Sequence, residues 1–407
     1  MNEGMNILID TSLFTLVIIL LAGVVGGKIS KLIKIPEVVV YLIFGVILGH
    51  QGLGIVDIAE SSFVNQIVLI YGAAFIIYCG GREIKLKELN EVKISVILLA
   101  TVGVLISTSI VAFFAKVIFG LDTVTCLLIG AVIASTDPAS LIPVFSKVSI
   151  KKSLKNTVIA ESAFNDAVGT VLIITIVSII TGAKFDIANI SGKLLEMIVL
   201  GGAIGFSIGI IFSYLIGHHK ALFSDYTAII SLIVSMSAYA IADYFGGSGF
   251  MATFVAGLIC GNKKSFGLWV PEKDYTISSN FRSVIEELIK IGIFILLGSH
   301  VDFIALKEFF VPSLVIVLVL VIIARPVSVF VCTIFDRKNK WSWREKVFMS
   351  WIRETGVIPA AMSSVIVSMN IPHGKLISSI VFMAIIITLG LQSSLTEKMV
   401  KILKLEE

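Results

Sequence analysis

Apolar residues follow one another in long, nearly unbroken runs along most of the chain, and short polar stretches separate the runs. An α-helix needs about 20 such residues to cross the hydrocarbon core of a bilayer, and backbone inside that core must satisfy its own hydrogen bonds. We therefore expect an all-α polytopic membrane protein. The pattern predicts thirteen crossing helices, centred near Leu20, Phe44, Gly72, Gly103, Ala131, Gly169, Gly205, Ser235, Phe254, Ile293, Val319, Pro359 and Ile385.

The composition narrows the class of protein further. Of 407 residues, 57% are hydrophobic and 15% are charged, and the mean hydropathy is +1.02. A soluble enzyme, a disordered chain or a nucleic-acid-binding protein is far more polar. Because the loops are short, we expect one transmembrane unit over residues 1–407 without a soluble regulatory domain. We expect no cofactor, since no metal-site or disulfide spacing relates the cysteines Cys79, Cys126, Cys260 and Cys332.

Lysine and arginine are distributed unequally between the two sets of loops. Of the 32, alternate loops and the C-terminal end carry 24, the opposite loops carry five, and Lys290, Arg325 and Arg353 lie inside segments. Basic residues stay on the cytoplasmic side, so we expect the N-terminus outside and the C-terminus in the cytoplasm. The first segment lacks the basic start of a signal peptide. We expect it to remain in a multi-pass protein of the cell (plasma) membrane.

Several ionisable residues lie well inside the apolar segments, where an ionised group costs roughly 2.5 to 3.5 kcal/mol. Glu286 and Lys290 lie nearer a segment end and four residues apart, which favours a structural ion pair on one helix. The others need a partner or a function, and they are the candidates for a site: Asp137, Glu161, Asp166, Arg325, Arg353 and Glu354.

The sixth segment carries its polar residues on one side. At about 100° per residue, the side chains of Glu161, Ser162, Asn165 and Asp166 share one arc of the helix together with Gly169. Ser162 and Asp166 are one turn apart, so a hydroxyl and a carboxylate oxygen can meet one small cation. Such hard oxygen ligands suit exchange of Na⁺, K⁺ or H⁺ and give no soft site for a transition metal.

Two segments are interrupted by proline. Pro138 disfavours helical geometry at Asp137, so we expect the fifth segment to break at Thr136 and Asp137. The twelfth segment has a similar interruption between Arg353 and Pro359. The two segments run in opposite directions across the membrane, which is typical of an inverted repeat with a binding site at the midplane, where the interrupted helices cross.

These motifs resemble the monovalent cation:proton antiporters. The Asn-Asp pair at 165–166 is similar to the electroneutral sodium/proton exchanger branch, and Ile35-Pro36 with Gly45–Gly49 weakly resembles the second helix of the family. The resemblance spans nearly the whole chain and is carried by Ser-Thr-Asp-Pro at 135–138, Glu-Ser-Ala-Phe-Asn-Asp at 161–166, Gly-Ser-Gly-Phe-Met-Ala at 247–252, Ala-Arg-Pro at 324–326, and Arg353 before Gly356.

The resemblance implies a homodimer in the lipid bilayer that exchanges Na⁺ or Li⁺ for H⁺, with no nucleic-acid partner. Each protomer would have thirteen helices, and a six-helix transport domain would move against a dimerisation domain. The transport domain would lie mainly in residues 92–182 and 307–399, and the dimerisation helices mainly in residues 10–81 and 194–299.

The resemblance also assigns roles within the sixth and fifth segments. Asp166 would be the carboxylate that exchanges Na⁺ for H⁺, and Na⁺ would be held by Asp166, Ser162 and Thr136. Glu161 would lie near the ion and Asp137 close by.

Two arginines would compensate charge, and one residue departs from the family pattern. Arg325 would pair with Glu161, and Arg353 would reach Asn165, which we also count among the ion-site residues. In the family the arginine is more often followed directly by glycine, whereas in this chain Arg353 is followed by an additional acid, Glu354. That difference leaves the choice between Na⁺ and K⁺ open.

A site that always carries one ion, either Na⁺ or H⁺ but never both at once, would give antiport without ATP. Because Asn165 stands where a second aspartate would add charge, we expect one-for-one, electroneutral exchange. The nearest alternative is K⁺/H⁺ exchange on the same fold. A cation channel is a further alternative, since interrupted helices also line pores, although fixed arginines would repel cations there.

An intramembrane enzyme is the alternative from another class. Gly247-Ser248-Gly249 superficially resembles the serine motif of a rhomboid protease, whose chemistry needs a histidine base at matching depth. The chain offers histidines only at segment ends or in loops, and we interpret Gly247 and Gly249 as close-packing positions. We therefore expect no enzyme activity.

Overall fold

The computed structural model describes residues 2–33, 35–59, 62–136, 150–182, 187–217, 226–267 and 272–406. The first helices are α1 Asn2–Ile33, α2 Glu37–Leu48, α3 Phe63–Glu83, α4 Leu86–Phe119, α5 Thr123–Ala134, α6 Lys152–Ile180, α7 Ile187–Gly217, α8 Thr227–Tyr244 and α9 Gly249–Gly261. They are followed by α10 Glu272–Ser299, α11 Phe303–Glu308, α12 Phe310–Ile334, α13 Trp343–Trp351, α14 Val357–Ser368, α15 Gly374–Ile387 and α16 Ser394–Ile402.

The all-α membrane fold predicted from the apolar runs is confirmed. Within the described residues, eight helices are long and apolar enough to cross a membrane, namely α1, α3, α4, α6, α7, α8, α12 and the helix that begins with α15. Four shorter apolar helices, α2, α5, α9 and α14, accompany them. Every predicted segment centre lies in a described helix, while the number of thirteen crossings stays a prediction.

Two helical segments are interrupted inside the protein, the first after α5 and the second between α13 and α14. Helix α5 begins at a cap in which Asp122 accepts a hydrogen bond from the Thr125 N–H at 2.9 Å, and it ends at Ala134 with extended backbone at Ser135. The helix therefore ends slightly before the predicted break at Thr136 and Asp137. Asp137 itself lies outside the described residues. Between α13 and α14 the backbone leaves the helix over residues 352–356, as the sequence predicts.

The two interruptions meet, and the helices around them repeat one arrangement. Arg353 Nη2 donates a hydrogen bond to the Ile133 carbonyl at 2.7 Å, which brings the second interruption to the end of α5. The helices that precede the interrupted pair, α4 and α12, each contain one π-helical turn, at Leu99–Gly103 and Leu320–Ala324. This arrangement agrees with the predicted inverted repeat of two antiparallel interrupted helices.

Helices α3 and α9 pack at backbone contact through glycines. A Cβ on Gly257 would lie 2.2 Å from the Tyr78 carbonyl oxygen, and a Cβ on Gly81 would lie 2.4 Å from the Phe254 oxygen. Small residues let membrane helices approach this closely.

The close-packing interpretation of the glycines before α9 is also confirmed. A Cβ on Gly247 would lie 2.9 Å from the Gly201 nitrogen, and a Cβ on Gly249 would lie 2.6 Å from the Tyr239 ring. Ser248 between them caps α9 by accepting a hydrogen bond from the Met251 N–H at 3.1 Å. The protease-like motif is thus a helix start packed against its neighbours.

The α3–α9 contact makes a testable prediction. Replacing Gly257 with alanine should destabilise the protein by about 1–3 kcal/mol, because the added methyl group overlaps a backbone oxygen, and thermal unfolding of the purified protein measures the loss. Gly202→Ala is the matched control, since a Cβ there meets no atom within 4 Å. Equal unfolding temperatures for the two variants would contradict the packing argument.

Candidate functional site

Helix α6 presents its polar arc to the end of α5, deep inside the protein. Glu161, Ser162, Asn165 and Asp166 are each no more than 3% exposed. Thr136 Oγ1 donates a hydrogen bond to Ser162 Oγ at 2.9 Å, and Asn165 Nδ2 donates to Thr136 Oγ1 at 2.7 Å. The Thr136 N–H donates to Asn165 Oδ1 at 3.1 Å. The structure thus brings together the α6 residues and Thr136 that the sequence proposed for the site.

Asp166 has a contact that the sequence analysis missed. The hydroxyl of Ser135, a fully buried residue at the end of α5, donates a hydrogen bond to Asp166 Oδ1. Gly169, one turn along α6, also faces Ser135, since a Cβ added to Gly169 would lie 3.5 Å from the Ser135 Cβ. The only signal in the sequence is that Ser135 directly precedes Thr136 at the predicted break.

Glu161 is engaged with Arg325 of α12, as the resemblance implied. Arg325 Nη1 and Nη2 donate to Glu161 Oε1 and Oε2, each at 2.7 Å, in a bidentate pair. The Arg325 Nε–H donates to the Met349 carbonyl at 3.1 Å. Asn165 Nδ2 also lies 3.3 Å from Glu161 Oε1. Both carboxylate oxygens of Glu161 therefore have cationic or amide partners within the protein.

The expectation for Arg353 is wrong in its partner. Arg353 is 1% exposed, and its guanidinium bonds the Ile133 carbonyl rather than Asn165, whose side chain is occupied by Thr136 and Glu161. The physical reason is that α5 ends at this depth and leaves a carbonyl without a helical N–H partner. Arg353 compensates the C-terminal end of that helix.

The hydroxyl of Thr388 holds the backbone of the second interruption, residues 352–356, by a hydrogen bond. The same segment contains Glu354, the acid that departs from the family pattern. Thr388 Oγ1 accepts a hydrogen bond from the Thr355 N–H at 2.9 Å. Thr388 begins the π-helical turn Thr388–Ser393, and nothing in the sequence distinguishes this threonine from others in apolar helices. Glu354, beside Arg353, is 1% exposed.

The cluster consists of hard oxygen donors in a water-poor surrounding. The hydroxyls of Ser135, Thr136 and Ser162 and the carboxylate of Asp166 can bind a small monovalent cation, and the carboxylate can instead take up a proton. This cluster of candidate ligands lies next to Glu161, whose charge Arg325 already balances.

The ion pair predicts the effect of breaking it on stability. Glu161→Gln should cost about 3–5 kcal/mol, because it leaves the Arg325 guanidinium buried without its counter-charge, and thermal unfolding detects the loss. The double variant Glu161→Gln with Arg325→Gln should recover part of it. Exposed Lys85, which lies 3.9 Å from the partly buried Glu88, serves as control, since Lys85→Gln should change stability by less than about 1 kcal/mol. Strict additivity of the buried single variants would refute the coupling.

Comparison with known proteins places the chain among transporters. It is 30% identical over 356 residues to the Na(+)/H(+) antiporter 1 of Methanocaldococcus jannaschii, covering 84% of this chain and 80% of the relative. It is also 27% identical over 404 residues to the K(+)/H(+) antiporter NhaP of Alkalimonas amylolytica, covering 98% of this chain and 68% of that one.

The fold and the family agree with these relatives. The structure of the sodium proton antiporter MjNhaP1 from M. jannaschii at pH 8 superposes with a TM-score of 0.81 at 25% identity, covering 97% of this chain and 98% of that one. The profile of the family described as sodium/hydrogen exchanger, transmembrane, matches residues 16–402. The chain belongs to the sodium/hydrogen exchanger family.

Proposed function

We propose that the protein is a secondary antiporter that exchanges Na⁺ or Li⁺ for H⁺ through the carboxylate of Asp166. The observation that carries this proposal is the placement of Asp166 beside the hydroxyls of Ser135, Thr136 and Ser162 where two interrupted helices meet. Oxygen ligands at such a crossing suit a dehydrated cation. Relatives named as sodium/proton antiporters support the choice of ion.

Competition between the two ions explains the coupling. Na⁺ and a proton both require the Asp166 carboxylate, so the site carries one or the other in each direction. Glu161 is held by Arg325 and takes part as a fixed charge. Since Asn165 is neutral and hydrogen-bonded to Thr136, only the Asp166 carboxylate exchanges a cation for a proton in each cycle. We propose one-for-one, electroneutral exchange on this ground.

The same proposal covers the protein's organisation in the cell. All the site residues fall in residues 92–182 and 307–399, which we propose as the moving transport unit, with residues 10–81 and 194–299 forming the dimerisation helices of a homodimer. The excess of basic loop residues supports a cytoplasmic C-terminus and an external N-terminus in the cell membrane. Asp137, which the resemblance also places near the ion, lies outside the described residues.

Proteoliposomes of known orientation, loaded with a pH dye, test the exchange. Addition of Na⁺ or Li⁺ should alkalinise the side that loses protons, and Asp166→Asn should abolish the response, because the amide cannot carry a proton in exchange for a cation. Asp243→Asn, at the exposed end of α8, should keep wild-type rates. Clamping the membrane potential should leave the rate unchanged.

Three outcomes would contradict particular parts of the proposal. A rate that follows the membrane potential and carries net current would reject the electroneutral stoichiometry. Full activity of Asp166→Asn would reject the carboxylate as the exchange site. Unitary conductance steps in a planar bilayer would replace the antiporter with a channel.

K⁺/H⁺ exchange is the second candidate, and a relative named as a K(+)/H(+) antiporter over 98% of this chain supports it. Glu354 is the residue of interest, because it lies buried in the second interruption next to Arg353. A further carboxylate strengthens the local negative field, and field strength is one basis of selection between K⁺ and Na⁺.

The selectivity can be measured with the same vesicles. We expect larger responses to Na⁺ than to K⁺, and Glu354→Gln should lower the Na⁺-to-K⁺ ratio several-fold by weakening that field. Glu91→Gln, an exposed residue of α4, is the matched control. A wild-type response to K⁺ alone would establish the second candidate, and an unchanged ratio in Glu354→Gln would exclude Glu354 from selectivity.

A further inference from the structure

One helical turn contacts the second interruption at both of its ends. The π-helical turn Thr388–Ser393, which follows α15, carries Thr388 at its start and Gln392 four residues later. Thr388 Oγ1 accepts a hydrogen bond from the Thr355 N–H at 2.9 Å, and Gln392 Nε2 donates to the Trp351 carbonyl at 3.0 Å. Thr388 is fully buried, and Gln392 is 4% exposed. The backbone from Trp351 to Thr355 is therefore held by two side chains of a single turn.

The backbone groups that these side chains contact have no helical partners of their own. Helix α13 ends at Trp351, and the carbonyls of the last turn of a helix lack an N–H from the same helix. The Thr355 N–H lies in non-helical backbone before α14. A buried backbone donor or acceptor without a partner costs free energy, and no lipid group replaces water there. The two side chains thus complete hydrogen bonds that the interrupted helix cannot make by itself.

The hydroxyl of Thr388 is oriented to accept the Thr355 N–H. It donates its own proton to the Ala384 carbonyl at 2.8 Å, so the lone pairs of its oxygen face other partners. The hydroxyl of Thr355 is buried and has no hydrogen-bond partner within the described part of the chain. Hydrogen bonding therefore holds Thr355 through its backbone N–H and not through its side chain.

The segment held in this way leads directly to the proposed cation ligands. Arg353, two residues before Thr355, donates to the Ile133 carbonyl near the end of α5. Ile133 is followed two residues later by Ser135, whose hydroxyl bonds Asp166. A shift of the second interruption would therefore move the Arg353 guanidinium and, with it, the end of α5 on which Ser135 lies.

Other buried threonines bond only within their own helices. Thr333 of α12 and Thr175 of α6 are 3% and 5% exposed, and the hydroxyl of each donates to the carbonyl four residues earlier. Thr388 makes the same bond and also accepts a backbone N–H from another segment. The second bond distinguishes Thr388 from a threonine that serves its own helix alone.

We propose that Thr388 and Gln392 are positioning residues for the transported cation, which hold the second interruption so that Arg353 keeps the end of α5 in place beside Asp166. Supporting contacts of this kind hold ligands in their working geometry, and π-helical turns are frequent at functional sites. The assignment rests on the proposed function, because it concerns the affinity of the same site for its cation.

Proteoliposomes that contain the Thr388→Val variant test the role of the hydroxyl. Valine keeps the shape of threonine but leaves the Thr355 N–H without an acceptor, so the apparent KM for Na⁺ should rise by about tenfold. The maximal exchange rate should stay close to that of the wild type, because saturating Na⁺ overcomes the weaker binding. A purely structural role would instead lower the maximal rate and leave the KM unchanged, because fewer molecules would be active.

Three further variants complete this test. Thr388→Ser retains the hydroxyl and should restore the wild-type KM, whereas Thr333→Val removes a hydroxyl that bonds only within α12 and should leave the KM unchanged. Gln392→Leu should raise the KM as Thr388→Val does, because the Trp351 carbonyl loses its donor. A wild-type KM in Thr388→Val, or equal increases in Thr388→Val and Thr333→Val, would overturn the assignment, and a wild-type KM in Gln392→Leu would remove Gln392 from it.

A double-variant cycle tests the route through Arg353. The affinity is read from the Na⁺-dependent rise in the unfolding temperature of the purified protein, which requires no transport. Arg353→Gln removes the guanidinium, so Thr388→Val should weaken Na⁺ binding much less in that background than in the wild type. Independent effects of the two substitutions would reject Arg353 as the connection between Thr388 and α5.

The wild type separates a failure of this inference from a failure of the proposed function. The cation used is whichever of Na⁺ and K⁺ the wild-type vesicles exchange for H⁺. Wild-type exchange together with an unaltered KM in Thr388→Val overturns the positioning role alone. Absence of exchange with either cation overturns the proposed function and, with it, this inference.

Discussion

The bidentate ion pair between Glu161 and Arg325 is the interaction on which the central part of the molecule depends. Two charges in a low-dielectric interior are tolerated because both carboxylate oxygens meet guanidinium donors at 2.7 Å. The same guanidinium reaches the Met349 carbonyl at the end of α13. Arg325 thus connects α12 with α6 and with the end of α13, which precedes the second interruption. Its positive charge also compensates the charge of Glu161, which lies on the same helix as Asp166.

The interrupted helices impose the second constraint, because backbone that leaves a helix inside a membrane must find partners there. The end of α5 finds one in Arg353, and the segment before α14 finds one in Thr388. Gln392 likewise donates to the Trp351 carbonyl at 3.0 Å. These partners come from other segments of the chain, so the open backbone around the site exists only within the assembled bundle.

The buried charges at the crossing of the interrupted helices follow one electrostatic rule. A buried charge is retained where a partner or an exchangeable ion compensates it. At the crossing, Arg325 compensates Glu161, and the proposed cargo compensates Asp166.

The sequence by itself determined the membrane class, the helix positions and the polar arc of α6, because apolar run length, proline positions and the 3.6-residue period are local properties. It also indicated the Arg325–Glu161 pair through resemblance. Only the tertiary structure decided that Ser135 bonds Asp166 and that Arg353 bonds the Ile133 carbonyl. Those contacts join residues distant along the chain, and the direction of each side chain is set by how the helices pack, which no local pattern encodes.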